Sequence, residues 1–206
     1  MNLTAVQEDA LTEVINIGFG RAAASLSKLT GQRVQLEVPH IAMCPLDELS
    51  DRLRPMIENE VASVHQIFSG AVAGDALLVI DQRSAAILKE LLTNEPAMPL
   101  DIDASAREVL TEIGNILLNA CLGTFGNLLH VQVSFSVPHL TLESLEGVVG
   151  SITVNREGLR YALIVHAGFR LKNSSLTGYL VIVLSVASIE RLIRAIEQWE
   201  RDQRVP

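Results

Sequence analysis

The chain carries one spaced set of carboxylate and amide residues twice. In each copy a carboxylate stands four residues before a glutamate, an asparagine follows that glutamate by three, and a proline follows the asparagine by 23. The first copy is Asp9, Glu13, Asn16 and Pro39, and the second, 99 residues later, is Glu108, Glu112, Asn115 and Pro138. Glutamate and asparagine three apart share one face of a helix. Held side by side, they could grip a cation and orient a water molecule.

Both copies lie in segments whose apolar residues recur at helical spacing. The predicted core stripes are Val6, Ala10, Val14, Ile17 and Ala24 in the first segment and Val109, Ile113, Ile116 and Ala120 in the second. On a helical wheel the carboxylates and amides, with Asn119 in the second copy, fall on another face. The sequence therefore predicts two long helices that present Glu and Asn outward.

A solvated helix face is the alternative explanation, and it would be favoured for one copy alone. The second copy favours a functional explanation instead, because core residues differ between the two repeats whereas Glu and Asn are the same in both. Phe19, for example, stands opposite Leu118. This difference favours a use for the exposed face. Glu108 has a separate alternative, since Ser105 and Glu108 also have the spacing of a helix capping box.

Several glycines in the two motif helices are unusual, because glycine weakens a helix by up to about 1 kcal/mol relative to alanine. They are Gly18 and Gly20 in the first helix and Gly114, Gly123 and Gly126 in the second. Either they let another protein's backbone approach, or they let the two helices pack closely together. The sequence leaves both explanations open.

Composition excludes several classes of function. The 206 residues are 49% hydrophobic, which is enough for a substantial core, and the net charge is −8 without a cluster of Lys and Arg. Nucleic-acid binding and attraction to an anionic membrane are therefore not expected. No signal peptide is recognisable, and no apolar run is long enough for membrane insertion. Two isolated cysteines, Cys44 and Cys121, are typical of a reducing, cytoplasmic location.

The predicted elements repeat after about 100 residues. The first half is predicted as a helix at 4–30, strands at 33–39, 62–68 and 76–80, a connecting segment with one helical turn at 44–57, and a helix at 84–92. A linker at 94–99 follows. The second half is predicted as a helix at 105–129, strands at 131–137, 161–169 and 179–184, and a helix at 188–199. We thus expect an α+β fold in one domain, 1–206, built from repeats at about 1–95 and 100–206.

The connections between the predicted strands are short or irregular, so an antiparallel sheet is expected. The predicted architecture is a pseudo-twofold α/β sandwich. In it, two long motif helices pack on a largely antiparallel sheet that both halves share.

The motif residues resemble those of the CheC/CheX/FliY family of response-regulator phosphatases. The family pattern is Asp or Ser, three residues, Glu, two residues, Asn, 22 residues, Pro; the first copy matches it fully, and the second departs only at Glu108. Two copies in a chain of this length are most similar to CheC-type members. CheX-type members are shorter and dimeric, and FliY-type members add a switch-protein domain. The resemblance implies a CheC-like sandwich over nearly the whole chain.

The resemblance also implies an activity. It is a phosphoaspartate protein phosphatase, a hydrolase that removes the aspartyl phosphate of a CheY-like response regulator in chemotaxis or another two-component pathway. Asn16 and Asn115 would orient the attacking water, and Glu13 and Glu112 would pair with the regulator's lysine. Asp9, Glu108, Pro39 and Pro138 would support the motif. No cofactor of the chain's own is implied, because the regulator brings Mg²⁺.

The rival hypothesis is a non-catalytic adaptor that binds a response regulator or a CheD-type receptor deamidase through the same helices. A CheD-type deamidase is also a second partner that the resemblance allows for the phosphatase. Intact Glu and Asn in both copies favour catalysis. Because the two repeats are fused in one chain, a monomer is expected rather than an obligate oligomer.

Overall fold

The structure is a computed structural model, and it describes residues 3–57, 60–93, 103–128, 130, 132–155, 158–171 and 174–203. The linker predicted at 94–99 lies outside the described residues, as do position 129 of the predicted second helix and position 131 of the strand predicted to follow it. The described helices are α1 (Ala5–Thr30), α2 (Leu49–Leu53), α3 (Gln82–Thr93), α4 (Ala104–Leu128), α5 (Leu145–Asn155) and α6 (Val186–Gln203). The described strands are β1 (Val34–Leu36), β2 (His40–Pro45), β3 (Glu60–Gly70), β4 (Gly74–Asp81), β5 (Val133–Phe135), β6 (His139–Ser144), β7 (Leu159–Leu171) and β8 (Ser174–Ser185).

All eight described strands belong to one sheet, and their pairings are antiparallel. The order along the sheet is β1-β7-β8-β4-β3-β5, with β2 also paired to β7 and β6 also paired to β3. The central pair, β4 with β8, joins a strand of the first half to a strand of the second. The predicted α+β sandwich with a shared antiparallel sheet is therefore confirmed.

Each half contains more elements than the sequence pattern predicted. Both run helix, two short strands, short helix, hairpin, helix. The helical turn predicted within 44–57 is confirmed by a 3₁₀ turn at Leu46–Glu48 and by α2. The prediction of three strands in each half was wrong, since β2 and β6 were missed, and in the second half the middle helix α5 was missed as well. Residues 170, 171 and 174–178, which lie between two predicted strands, belong instead to the paired ends of β7 and β8.

Helices cover both faces of the sheet, and each face has its own apolar core. The first core packs α1 and α4, flanked by α6 and α3, on one face of the central strands. The second packs α2 and α5 on the opposite face; its members include Leu53, Val148, Ile164 and Val181. The long motif helices therefore lie side by side on one face, where a rigid sheet fixes their relative position.

One helix in the described part of the chain, α4, is long and apolar enough to cross a membrane by length and composition alone. About 56% of its apolar window is buried inside the protein. Its buried side chains, such as Leu110, Leu117 and Leu118, belong to the first core. The apolar character of α4 is thus that of a central core helix.

Candidate functional site

The first motif helix begins and ends as predicted. The Thr4 side chain accepts from the Gln7 backbone, and the Gln7 side chain accepts from the Thr4 backbone, which completes the capping box. At the other end Gly31 adopts the left-handed conformation, with φ of 65°. This geometry favours glycine, because a side chain there meets the backbone. The caps fix α1 over the whole length of the first motif.

The buried stripe of α1 differs from the predicted one. Val6 and Ile17 are 50% and 37% exposed, and Ala24 is exposed too. The core side of the helix is instead formed by residues such as Leu11, Ile15, Phe19, Ala22 and Leu26. Ala10 and Val14 are buried as predicted, but the other three predicted core residues are not. The reason is that α1 is apolar around more than half of its circumference, so that spacing alone does not select the buried side. On a helical wheel the true core side lies opposite Asp9, Glu13 and Asn16.

The second motif helix is capped by a residue that the sequence pattern did not single out. An Asp103 carboxylate oxygen accepts from the Ala106 backbone at 2.8 Å, and the Asp103 carbonyl accepts from the Arg107 backbone at 3.0 Å. The other carboxylate oxygen binds the buried Lys89 ammonium of α3 at 2.8 Å. This hydrogen bond, helped by those from the backbone, lowers the pKa of Asp103. The capping box considered for Ser105 and Glu108 was therefore wrong, and Glu108 lies exposed in the second turn.

The motif side chains face outward from both helices. Glu13 and Glu112 are exposed, whereas Asn16 and Asn115 are half-buried. Within the described part of the chain, the side chains of Glu13, Asn16 and Glu112 have no internal hydrogen bond or ion pair, and the same holds for Asp9 and Glu108. Their polar groups are consequently available to a partner.

Close packing accounts for two of the motif-helix glycines. A Cβ on Gly18 would lie 3.1 Å from the Cα of Cys121, so this glycine lets α1 approach α4. A Cβ on Gly114 would lie 2.5 Å from a methyl group of Val64, so this glycine seats α4 on β3. At Gly20 and Gly123, in contrast, a Cβ would meet no atom within 4 Å. Close helix packing explains Gly18, and approach by a partner stays open at Gly20.

The motif prolines lie in equivalent bulges at the two edges of the sheet. Between the pairs Leu36↔Phe169 and His40↔His166, three residues of one strand face two of the other. The same excess occurs around Pro138, between Phe135↔Phe68 and His139↔His65. Proline is tolerated in a bulge because it has no N–H to pair. The strand after each motif helix ends before its proline, at Leu36 and Phe135, and the next strand, β2 or β6, begins directly after the proline.

Each bulge also exposes an apolar residue to which the sequence pattern gave no role. Val38 is 64% exposed and Val137 is 86% exposed, and each directly precedes its motif proline. The tripeptide Val-Pro-His, repeated at 38–40 and 137–139, was the available signal. Both copies of the motif therefore share an exposed valine directly before the motif proline.

The two copies differ at the position one helical turn after the motif asparagine. In the second copy Asn119 donates a hydrogen bond from Nδ2 to the Oδ1 of Asn115, with a length of 2.6 Å. In the first copy the equivalent residue is Gly20, which has no side chain. Helical spacing predicted that Asn119 lies on the motif face but indicated no role for it.

The chemistry open to these side chains is positioning and charge pairing. A carboxylate beside a carboxamide can bind an ammonium group, donate to phosphoryl oxygens and orient a water. Thiol nucleophiles are not available, because burial raises the pKa of Cys121 to about 12 and also raises that of Cys44. The described residues hold no group of three His, Cys, Asp or Glu side chains arranged to bind a metal.

Comparisons with known proteins agree with this geometry. A family model described as the CheC-like family matches residues 6–42, which span the first copy of the motif. The CheY-P phosphatase CheC of Bacillus subtilis is 26% identical over 197 residues, covering 92% of this chain and 93% of that protein. The flagellar motor switch phosphatase FliY of the same organism is 24% identical over 176 residues, covering 83% of this chain but 44% of that longer protein. The crystal structure of Thermotoga maritima FliY shares the fold, with a TM-score of 0.77 at 18% identity, over 96% of this chain and 99% of that one.

An antiparallel sheet shared by two repeats, with a motif helix from each repeat on one face, defines a CheC-like α+β sandwich protein. In sequence the chain is similar to the CheC-like family and to curated CheC and FliY proteins, and in fold it is similar to FliY. Both curated relatives are named as phosphatases, one of CheY-P and one of the flagellar motor switch.

Proposed function

We propose that this chain is a phosphatase that hydrolyses the aspartyl phosphate of a CheY-like response regulator. The observation that carries the proposal is the pair of equivalent helix faces. Each presents an exposed glutamate beside a half-buried asparagine, and neither Glu13 nor Glu112 has an ionic partner within the described part of the chain. Unpaired charges held on rigid helices are well placed to meet a charged partner surface.

In the proposed reaction each motif helix docks against the phosphorylated site of the regulator. Glu13 or Glu112 pairs with a lysine of the regulator and sets the register of the helix. Asn16 or Asn115 then hydrogen-bonds a water in line with the phosphoryl group. The water oxygen forms the new P–O bond while the bond to the aspartyl oxygen breaks, which releases the carboxylate and inorganic phosphate carrying the water's protons. Such catalysis is mainly positioning and electrostatics, which suits an amide with no acid–base chemistry of its own.

The supporting residues have separate proposed tasks. Asp9 and Glu108 extend the negative face by one helical turn, where they attract the cationic side of the partner. Pro39 and Pro138 hold the bulges and are not expected to touch phosphate. We propose that the regulator supplies Mg²⁺ and that the chain contributes no cofactor. We also propose that the protein acts in the cytoplasm as a monomer, because one chain already holds both sites.

The decisive experiment follows the phosphate on purified CheY-type regulators from the same organism, with and without this protein. The regulators are phosphorylated with a small-molecule phosphodonor in the presence of Mg²⁺. The wild type is expected to shorten the phosphate lifetime. Asn16→Ala and Asn115→Ala should each remove part of the acceleration, and the double variant should remove all of it.

Asn127→Ala is the matched control, because Asn127 is an exposed asparagine of α4 that lies outside the motif. It should leave the acceleration unchanged. A double variant that still accelerates hydrolysis would refute the roles given to Asn16 and Asn115. A wild type that binds a phosphorylated regulator without changing its lifetime would establish the adaptor instead. Pull-down with a CheD-type deamidase then tests the other adaptor partner.

A further inference from the structure

The two candidate sites are not equally ordered, because only one has a second amide behind the motif asparagine. Asn119 lies one helical turn after Asn115, and its Nδ2 donates to Oδ1 of Asn115 at 2.6 Å. The equivalent position in the first site is Gly20, so Asn16 has no such neighbour. The internal duplication thus contains its own comparison between a supported and an unsupported asparagine.

This hydrogen bond restricts the Asn115 side chain. An asparagine amide that faces solvent rotates about its last torsion, which is broad. The bond from Asn119 fixes the plane of the Asn115 amide and occupies one lone pair of its oxygen. The second lone pair and both N–H donors stay available to a water and to phosphoryl oxygens. A donor on the oxygen also polarises the amide, which strengthens the donors at its other end.

Burial shows that Asn119 itself depends on the pairing. Its own Oδ1 is buried and has no hydrogen-bond partner among the described residues, an arrangement that is unfavourable. Among the described residues, the bond to Asn115 is the hydrogen bond that the Asn119 side chain makes. A residue that served only stability would be better replaced by an apolar one, as at many half-buried helix positions.

We propose that Asn119 is a positioning residue that holds the Asn115 amide in its working orientation before a partner binds. The inference rests on the proposed function and adds a difference between its two sites. The second site loses little side-chain freedom when the regulator docks, whereas the first site must order Asn16 at that moment. Ordering one side chain corresponds to a rate difference of about three- to tenfold.

Single-site proteins separate the two contributions. In the Asn16→Ala background, where only the second site works, Asn119→Ala and Asn119→Gly should lower kcat about three- to tenfold with little change in KM. Asn119→Gln keeps an amide donor and should restore part of the loss, whereas Asn119→Asp lacks a donor and should not. Asn127→Ala in the same background is the control and should leave kcat unchanged. In the Asn115→Ala background, Gly20→Asn should raise kcat of the first site.

A second measurement does not depend on catalysis. In the free protein, NMR relaxation of the side-chain amides should show a more rigid Asn115 than Asn16, and Asn119→Ala should abolish the difference. Equal mobility of Asn115 and Asn16 in the wild type would overturn the proposal. So would an Asn119→Ala protein with unchanged kcat and a lowered melting temperature, because that result would assign Asn119 to stability alone. If neither single-site background accelerates hydrolysis, the proposed function fails, while the relaxation experiment still decides the role of Asn119.

Discussion

At the scale of single residues, the two motif helices end with the same backbone conformation on different side chains. Gly31 follows α1 with φ of 65°, and His130, its equivalent 99 residues later, has φ of 52° after α4. A non-glycine residue in this left-handed region costs about 1 kcal/mol or more. The second repeat therefore retains local strain that glycine relieves in the first.

We predict that His130→Gly raises the free energy of unfolding by about 1 kcal/mol. Chemical denaturation measures the change, and phosphatase activity should stay the same. Gly31→Ala is the matched control and should lower the free energy of unfolding by a similar amount, about 1 kcal/mol. A destabilised His130→Gly protein would mean that contacts of the His130 side chain outweigh the backbone strain.

The candidate site residues could be predicted from the sequence, but their neighbours could not. Glu13, Asn16, Glu112 and Asn115 all face outward as expected, because a fixed spacing in a helix determines which residues share a face. The support by Asn119 depends on a rotamer and a hydrogen bond, which spacing does not specify. The exposure of Val38 and Val137 depends on strand register, which only pairing with β7 and β3 determines.

At the scale of elements, two glycines of α1 allow the effect of helix packing on stability to be measured apart from that of helix propensity. Gly18→Ala places a methyl group 3.1 Å from the Cα of Cys121 and 3.3 Å from the carbonyl oxygen of Ala120. Because these neighbours are backbone atoms of a packed helix, they yield poorly. We predict a net loss of about 1 kcal/mol or more in the free energy of unfolding.

Gly20→Ala is the matched substitution two residues further along the same helix. Its methyl group meets open space. The variant should gain about 0.5–1 kcal/mol from helix propensity. Urea denaturation of both proteins tests the pair. If both variants change the free energy of unfolding by the same amount, the close approach of α1 to α4 at Gly18 does not contribute to stability.

The start of α4 makes stability depend on pH through Asp103. Its pKa is lowered in the folded protein, chiefly by the hydrogen bond from Lys89 and also by its capping bonds. A group with a depressed folded pKa stabilises the fold above its unfolded pKa, about 3.9, and loses that contribution as the pH falls through the folded value. Asp103→Asn should therefore lower Tm at pH 7, because it removes the negative charge that pairs with Lys89 at the start of the helix.

Thermal unfolding across a pH series checks this expectation. The difference in Tm between wild type and Asp103→Asn should be constant near neutrality and shrink as the pH falls below about 4. Glu108→Gln serves as a control from the same helix, because Glu108 is exposed and does not cap it. A difference that persists undiminished in acid would mean that the Asp103 charge contributes nothing.

The elements that the sequence pattern did not predict share a physical cause. Strands β2 and β6 follow a proline, and α5 contains Gly147, Gly150 and several β-branched residues, which are poor helix formers. Local propensity opposes all three. Pairing with long neighbouring strands and burial against the second core override it: β2 lies along β7, and α5 buries Val148 and Ile152. Such tertiary stabilisation cannot be predicted from the local spacing of residues in the sequence.

At the scale of the whole molecule, the shared sheet couples two cores on opposite faces. Cys121 belongs to the core under the motif helices, and Cys44 belongs to the core under α2 and α5. Strands β3, β4, β7 and β8 contribute side chains to both cores, and the β4–β8 pair links the two repeats. Exposing either core requires these strands to separate from their helices. The repeats are therefore expected to unfold together as one domain.

The two buried thiols can test that cooperativity in the unmodified protein. Both are protected in the native state, because burial raises their pKa, to about 12 for Cys121. Alkylation at pH 8 then proceeds only through opening of the structure. When the labelling rate of each cysteine is divided by its rate in the unfolded chain, the ratio gives the free energy of the opening that exposes that thiol.

We predict the same opening free energy for Cys44 and Cys121, equal to the global free energy of unfolding. Mass spectrometry follows both sites in one sample. If the normalised labelling rate of Cys44 is a hundredfold higher than that of Cys121, the opening that exposes Cys44 costs roughly 2.7 kcal/mol less. That result would mean that α2 and α5 open while the motif helices stay packed.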